Sequence, residues 1–435
     1  MTSSISLPSH PGQLDLSFGN NGRLRLPSIE LRFTPVNMAL TEKKDLLIYG
    51  HVWKPQFRFL FAVLRLKLNG DIDKSFGENG FATGFFGIDE FLHRSTSFAE
   101  DMIELPGGKI LLSGYYQPED GNSRFCGFVR LNADGSLDKT FGTDGKVLIA
   151  PRSTTANRKK KEQQPPDSPN AENVSNANVN VNMRMCVLSD GRIIKLMTFD
   201  HDGVFTQEVV CLTRDGVIDP LFGNAGYAKI VFPYSNMAYN NVVAVEDGKF
   251  AICGTADVPH TIFDRSVVLK LTDEGVLDLK FAEEGVLELP RTKDIEYLLP
   301  NMCVQPNGRL LLCGSSNVDP KESSGLLISI ESNGTPNIQF NKGKPFIAEV
   351  DGDLSGWASA IVVQPQARIL LIGAAGGEST LTRLSNEGVP DTDFAQGKPT
   401  FRFSGEDFGF MGAAVIHDKR IYLLSGFELL RAVIP

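Results

Sequence analysis

Residues 131–145 read LNADGSLDKTFGTDG and set Asn132, Asp134 and Asp138 around Gly135. Oxygen donors so spaced are what a hard cation such as calcium takes, although an EF-hand loop also needs a carboxylate at its twelfth position. Other candidates for chemistry are sparse. His10, His51, His93, His201, His260 and His417 are scattered without metal-ligand spacing, and no GxSxG, HExxH or P-loop occurs. Six cysteines form no CxxC pair. Cys303 and Cys313 could face each other across a hairpin, but the absence of an export signal favours reduced, buried thiols. The expectation is a chain with no cofactor and no metal.

A site occurs once, whereas a structural unit recurs. Aligned on the phenylalanine, the stretch returns as LDLSFGNNG at Phe18, DIDKSFGENG at Phe76, SLDKTFGTDG at Phe141, VIDPLFGNAG at Phe222 and VLDLKFAEEG at Phe281. Weaker copies, TPNIQFNKG and VPDTDFAQG, end at Phe340 and Phe394. Between copies stands a second signature, an apolar run after a tight turn, closed by glycine: DLLIYG, GGKILLSG, DGKFAICG, NGRLLLCG, ARILLIG and KRIYLLSG. The seventh member, DGRIIKLM, lacks that glycine.

Each unit therefore reads as four strands: a short one after the motif's last glycine, a hairpin across the DG or NG turn, and a fourth such as GFVRL (127–131). Four antiparallel strands per repeat is the make-up of a propeller blade, so the fold class expected is all-β, a seven-bladed β-propeller forming one domain over 1–435. The chain starts and stops partway through a unit, so the N- and C-terminal segments should join in the last blade. Residues 429–434 are favoured over 5–8 as its last strand. The motif aspartates (Asp15, Asp73, Asp138, Asp219, Asp278, Asp391) should accept backbone N–H bonds from the turn, and the phenylalanines should be buried between blades. The residue before the turn glycine varies among Asn69, Asp134, Asp215, Glu274, Asn333 and Glu387, more than a ligand position should tolerate.

These motifs resemble the bacterial delta-60 repeat proteins, whose unit of about this length carries a DGKIL-like hairpin with a closing Gly and a Leu-Asp-x-Ser-Phe-Gly-x-x-Gly turn. The resemblance covers nearly the whole chain. It implies a β-propeller and little chemistry, since the family consists mainly of repeat modules without an assigned activity. Many relatives carry export signals and this chain shows none.

The repeated turns all belong to one end of the unit, so irregular sequence falls at the other, where loops on a rigid scaffold carry function. There lie HVWKPQFRF (51–59), FFGIDEFLHRSTSFAED (85–101) and YYQPEDGNSRF (115–125). A binding patch is expected from His51, Trp53, Phe57, Phe59, Phe91, Tyr115 and Tyr116 with Asp89 and Glu90. Glu100 and Asp101 should belong to a solvated acidic rim. Segment 152–181, rich in polar residues and basic at 158–161, should be a disordered insertion.

A net charge of −9 disfavours nucleic acid as a partner, and no run of 18 apolar residues predicts a membrane span. With no basic start and apolar run at residues 1–11, the default location is cytoplasmic, with export lacking a cleavable signal as the alternative. The functional expectation is a monomeric, non-catalytic scaffold that binds a protein partner. Its rivals are a glycan-binding propeller and a lyase or hydrolase using Glu288 and Glu349, placed on channel-lining first strands VLELP (286–290) and FIAEV (346–350).

Overall fold

The computed structural model describes residues 13–27, 32–54, 58–87, 95–118, 124–150, 184–201, 204–228, 230, 237–256, 265–289, 296–319, 322–348, 355–363, 368–375, 378–403 and 411–434. Their regular structure is almost wholly β. The first strand, β1 (Arg23–Arg25), is followed by two antiparallel units within one eight-stranded sheet. These are β2 (Phe33–Leu40), β3 (Asp45–Trp53), β4 (Phe59–Lys67) and β5 (Phe81–Gly84), then β6 (Thr96–Leu105), β7 (Lys109–Gln117), β8 (Phe125–Leu131) and β9 (Lys146–Ile149). A single parallel pair, Phe59 with Thr96, joins them.

Four-stranded antiparallel sheets follow in chain order. The third unit is β10 (Met185–Val187), β11 (Ile193–His201), β12 (Val204–Leu212) and β13 (Tyr227–Ala228). The fourth is β14 (Met237–Ala244), β15 (Phe250–Ala256), β16 (Arg265–Leu271) and β17 (Val286–Glu288). The fifth is β18 (Glu296–Val304), β19 (Leu310–Asp319), β20 (Glu322–Ile330) and β21 (Phe346–Ala348). The sixth is β22 (Ser355–Val363), β23 (Arg368–Ala375), β24 (Glu378–Leu384) and β25 (Thr400–Phe403). The last sheet runs β26 (Met411–His417), β27 (Arg420–Ser425), β28 (Glu428–Val433) and then β1, with Leu24 opposite Leu429.

This order corrects the unit boundary drawn from sequence. The short strand after each motif glycine does not open a unit; it closes the preceding one as its fourth strand, as β5 does on β4. The first strands are those that follow the irregular loops, long in every unit but the third, and they lie against one another from unit to unit: β2 with β6, β14 with β18, β18 with β22, and β26 with β2. Segment 428–433 likewise turns out to be a third strand, with β1 as the outer one. The separation of ends survives, because antiparallel alternation still puts both repeated turns of each unit at the end opposite the irregular sequence.

The closing glycine has a steric cause. First strands carry a β-bulge, between Pro35 and Asn37, Ala99 and Asp101, or Trp357 and Ser359, and the glycine faces it. A Cβ on Gly50 would stand 2.0 Å from the Thr34 carbonyl oxygen, and one on Gly114 1.9 Å from that of Phe98. In the last unit Ser425 takes this register and Gly426 serves the next turn instead.

Among the described residues the apolar core divides into seven clusters, each holding one motif phenylalanine. Each cluster spans two units. Phe76 packs with Tyr49 and Val63 of the first unit and Leu112 and Val129 of the second. Phe18 packs with Tyr422 and Leu429 of the last unit and Ile48 and Leu64 of the first. Burying one such ring contributes about 1.5–3 kcal/mol.

Candidate functional site

The repeated turn is an inter-unit clamp. Ser17, Ser75, Thr140, Leu221, Lys280 and Asp393 donate backbone N–H bonds of 3.1–3.3 Å to Asp15, Asp73, Asp138, Asp219, Asp278 and Asp391. The other carboxylate oxygen takes an arginine from the third strand: Arg65 to Asp73 at 2.9 Å, Arg130 to Asp138 at 2.6 Å, Arg383 to Asp391 at 2.9 Å and Arg431 to Asp15 at 3.1 Å. These guanidinium groups also lie 4.5–4.7 Å over Phe76, Phe141, Phe394 and Phe18. Three of them reach a backbone carbonyl of the next unit, at Ala133, Arg214 and Leu68.

Sequence reading missed this arginine, which stands eight residues before the aspartate except in the Arg431–Asp15 pair, because it sits inside an apolar strand and varies. It is Lys270 in the fourth unit, Ser329 in the fifth and Cys211 in the third. Where Ser329 replaces it, Asn337 replaces the aspartate and donates to the serine hydroxyl at 3.0 Å. The freedom of the residue before the turn glycine is explained as well, since the structure uses its backbone oxygen. The carbonyls of Asp134, Asp215 and Glu274 accept from Gly77, Gly142 and Gly223 of the preceding unit at 2.7–2.8 Å.

The two carboxylates that suggested calcium are thus engaged. Asp134 accepts from the Ser136 amide and hydroxyl, and Asp138 from Thr140, Arg130 and Lys109. Burial alone would raise the Asp15 carboxyl, but bonds from Ser17 and Arg420 outweigh it and hold its pKa down at about 2. Among the described residues no three His, Cys, Asp or Glu side chains gather as a metal site.

Glu288 does not line a channel: β17 is a fourth strand, remote from the first strands, and Glu288 is ion-paired with Arg265. Glu349 lies outside the described residues. Cys303 pairs with Leu311 and Cys313 with Asn301, so the two cysteines are not opposite, and both are free thiols.

The irregular end brings several predicted residues together where the first two units meet. His51 lies 5.3 Å from Phe59 and 4.5 Å from Phe98, ring centre to ring centre. Phe98 is 4.7 Å from Phe59 and stacks on Tyr115 at 4.9 Å, with Arg124 5.0 Å over the Tyr115 ring. All four rings are half-buried, and burial pushes the His51 imidazole down to about 4. Nδ1 of His51 has no hydrogen-bond partner among the described residues. Trp53 lies opposite Phe59 in the β3–β4 register and carries Arg32 4.5 Å over its own ring.

Phe98 was missed, its position in STSFAED giving no aromatic neighbour to mark it. Tyr116 is a correction: strand alternation turns it inward, where it is 3% exposed and packs in the core. Phe57, Phe91, Asp89, Glu90 and segment 152–181 lie outside the described residues.

Asp101 is a second correction. It belongs to no solvated rim but is fully buried in a 2.6 Å ion pair with Lys195, which is 1% exposed and also faces Glu100 at 3.3 Å. Asp101 further accepts from the Arg184 amide and Ser113 hydroxyl. Lys195 occupies the register that Ile48, Leu112 and Ile252 fill in other units. Burial would lower its pKa, but Asp101 and Glu100 raise it further and keep the ammonium charged.

A family model described as a domain of unknown function (DUF5122) beta-propeller matches residues 105–141, from the end of β6 to Phe141. No curated protein matches the chain. Among solved structures, prolyl oligopeptidase B from Galerina marginata, bound to a hydrolysis and macrocyclization substrate, is 11% identical over 89% of this chain and 46% of its own, with a TM-score of 0.46. The chain thus spans just under half of that protein. Polysaccharide lyase Uly1 is 12% identical over 100% of this chain and 94% of its own, TM-score 0.45. The beta-propeller domain of the Trilobed protease from Pyrococcus furiosus is 7% identical over 92% and 91%, TM-score 0.41. Successive four-stranded antiparallel units and the family match together support a β-propeller. Among the described residues no helix is long and apolar enough to cross a membrane.

Proposed function

We propose that the chain is a single-domain, seven-bladed β-propeller whose last blade is completed by β1, and that it serves as a monomeric, non-catalytic scaffold for a protein partner in the cytoplasm. The shared cluster of Phe18, Tyr422 and Ile48 supports closure of the ring. The observation that carries the binding reading is the half-buried group of His51, Phe59, Phe98 and Tyr115 at the irregular end. Rings held edge to face and stacked, with a guanidinium at the margin, form a rigid anchor for a partner side chain at small entropic cost. The same flat rings suit a sugar face, which is the second reading.

Full-length protein and its Tyr115→Ala variant, used as bait in extracts of the native organism, separate these. The scaffold reading expects a protein captured by wild type, lost with Tyr115→Ala and kept with Lys139→Ala at the opposite end. Glycan-array binding that disappears with Tyr115→Ala, without a captured protein, would replace it by the lectin reading.

A further inference from the structure

The end that carries the clamps is uniform in backbone but not in the side chains it shows to water. At the residue after the turn glycine and the two after the aspartate, the first units are polar, with Asp71 and Lys74, then Ser136 and Lys139. In each of the following units at least one of these positions is aliphatic, although Lys280, Thr335, Thr392 and Asp393 stay polar. Val217 and Leu221 are 60% and 85% exposed, Val276 and Leu279 51% and 71%, Ile338 78% and Val389 60%. Since lysine, serine and aspartate fit the same turns, the fold does not require these aliphatic groups. Scattered exposed leucines are ordinary, but a recurring series at matching positions of adjacent units is not.

The series deepens into a cleft between the third and fourth units, where Cys211 replaces the clamp arginine. Arg192 comes across from the hairpin turn instead, donating to the Asp273 carbonyl at 2.8 Å and carboxylate at 3.1 Å, and standing 3.5 Å from Asp219. What is left open beside it is a cavity of about 650 Å³ whose walls include Leu221, Val276, Asp219, Asp273 and Glu274. Three carboxylates against one guanidinium leave the cleft negative, with two aliphatic side chains at its mouth.

We propose that this cleft, with the aliphatic series running on from it, is a docking surface for a protein segment that combines aliphatic side chains with lysine or arginine. The charge selects that occupant over a second copy of the chain, whose own net charge is −9. The surface lies at the end opposite the ring cluster, so it stands or falls independently of the scaffold reading.

The test uses the full-length protein and a fluorescent peptide alternating leucine and lysine, with leucine–glutamate and serine–lysine peptides as controls. Binding is expected for leucine–lysine alone, weaker at higher salt. Leu221→Ser combined with Val276→Ser should weaken it about tenfold, or about 1.4 kcal/mol. Glu274→Gln should weaken it less, and Trp53→Ala should leave it unchanged. Thermal melts of these exposed-site variants verify that they fold. Equal binding of the leucine–glutamate peptide, or indifference to the double change, overturns the proposal. So does a dimer in sedimentation velocity that Leu221→Ser dissociates, since the occupant would then be a second copy.

Discussion

In the second unit one arginine does three things: Arg130 neutralises Asp138, covers Phe141 and reaches the Arg214 carbonyl of the third. In the third unit Cys211 stands in its place, and Arg192, from the hairpin turn before β11, donates to the corresponding carbonyl of Asp273 at 2.8 Å but stands 3.5 Å from the motif Asp219. That unit also replaces the closing glycine by Met197 and one aliphatic core position by Lys195. The repeat therefore preserves a joint between units rather than a list of residues. Polar groups can be traded from strand to strand as long as every buried charge finds a partner.

The largest effect is expected at Lys195. Asp101→Ala leaves that ammonium buried without its closest partner and should cost about 3–5 kcal/mol in urea unfolding, whereas Asp101→Leu with Lys195→Leu should regain most of it. A single-mutant cost below about 1 kcal/mol would mean that Lys195 finds water. Next comes the clamp itself. Arg130→Ala should lose about 2–3 kcal/mol through its charged hydrogen bonds, and Arg192→Ala about 1 kcal/mol or less, being more exposed. Equal losses would erase the distinction between the two units.

Acid acts in two windows. His51 stays neutral in the fold down to about 4 against an ordinary 6.5, so the unfolded chain takes up the proton first and stability falls as pH drops from 6.5 to 4. His51→Phe should be flat there. Asp15 is held at about 2 against an ordinary 3.8, so its contribution is complete above 3.8 and disappears as pH falls through 2. Urea midpoints against pH would resolve both steps. The smallest expected effect is that of calcium: millimolar CaCl2 should leave the melting temperature unchanged, and a clear rise would return the turn to the class of cation loops.

Seven phenylalanines, their aspartates and the turn glycines were legible because each does a job that one residue type does best. The clamp arginine was not, since Lys270, Ser329 and Cys211 stand in its register and only the partnered geometry shows the equivalence. Strand order was read one step out because hairpin chemistry is local, while the choice of which unit a short strand completes is a tertiary one. Tyr116 failed for a related reason: its place beside a loop suggested exposure, but its strand face decides. In DGRIIKLM the missing glycine was visible, but the lysine within the apolar run was passed over and its partner Asp101 was expected on a solvated rim.

The joint made through the carbonyls of Asp134, Asp215 and Glu274 has a consequence for how such a chain can grow. A main-chain oxygen is present whatever the codon, so a newly duplicated unit meets its neighbour with a fitting connector from the outset. Its outward side chains are then free to diverge, and one end of the molecule can acquire new surfaces without renegotiating how its parts are assembled.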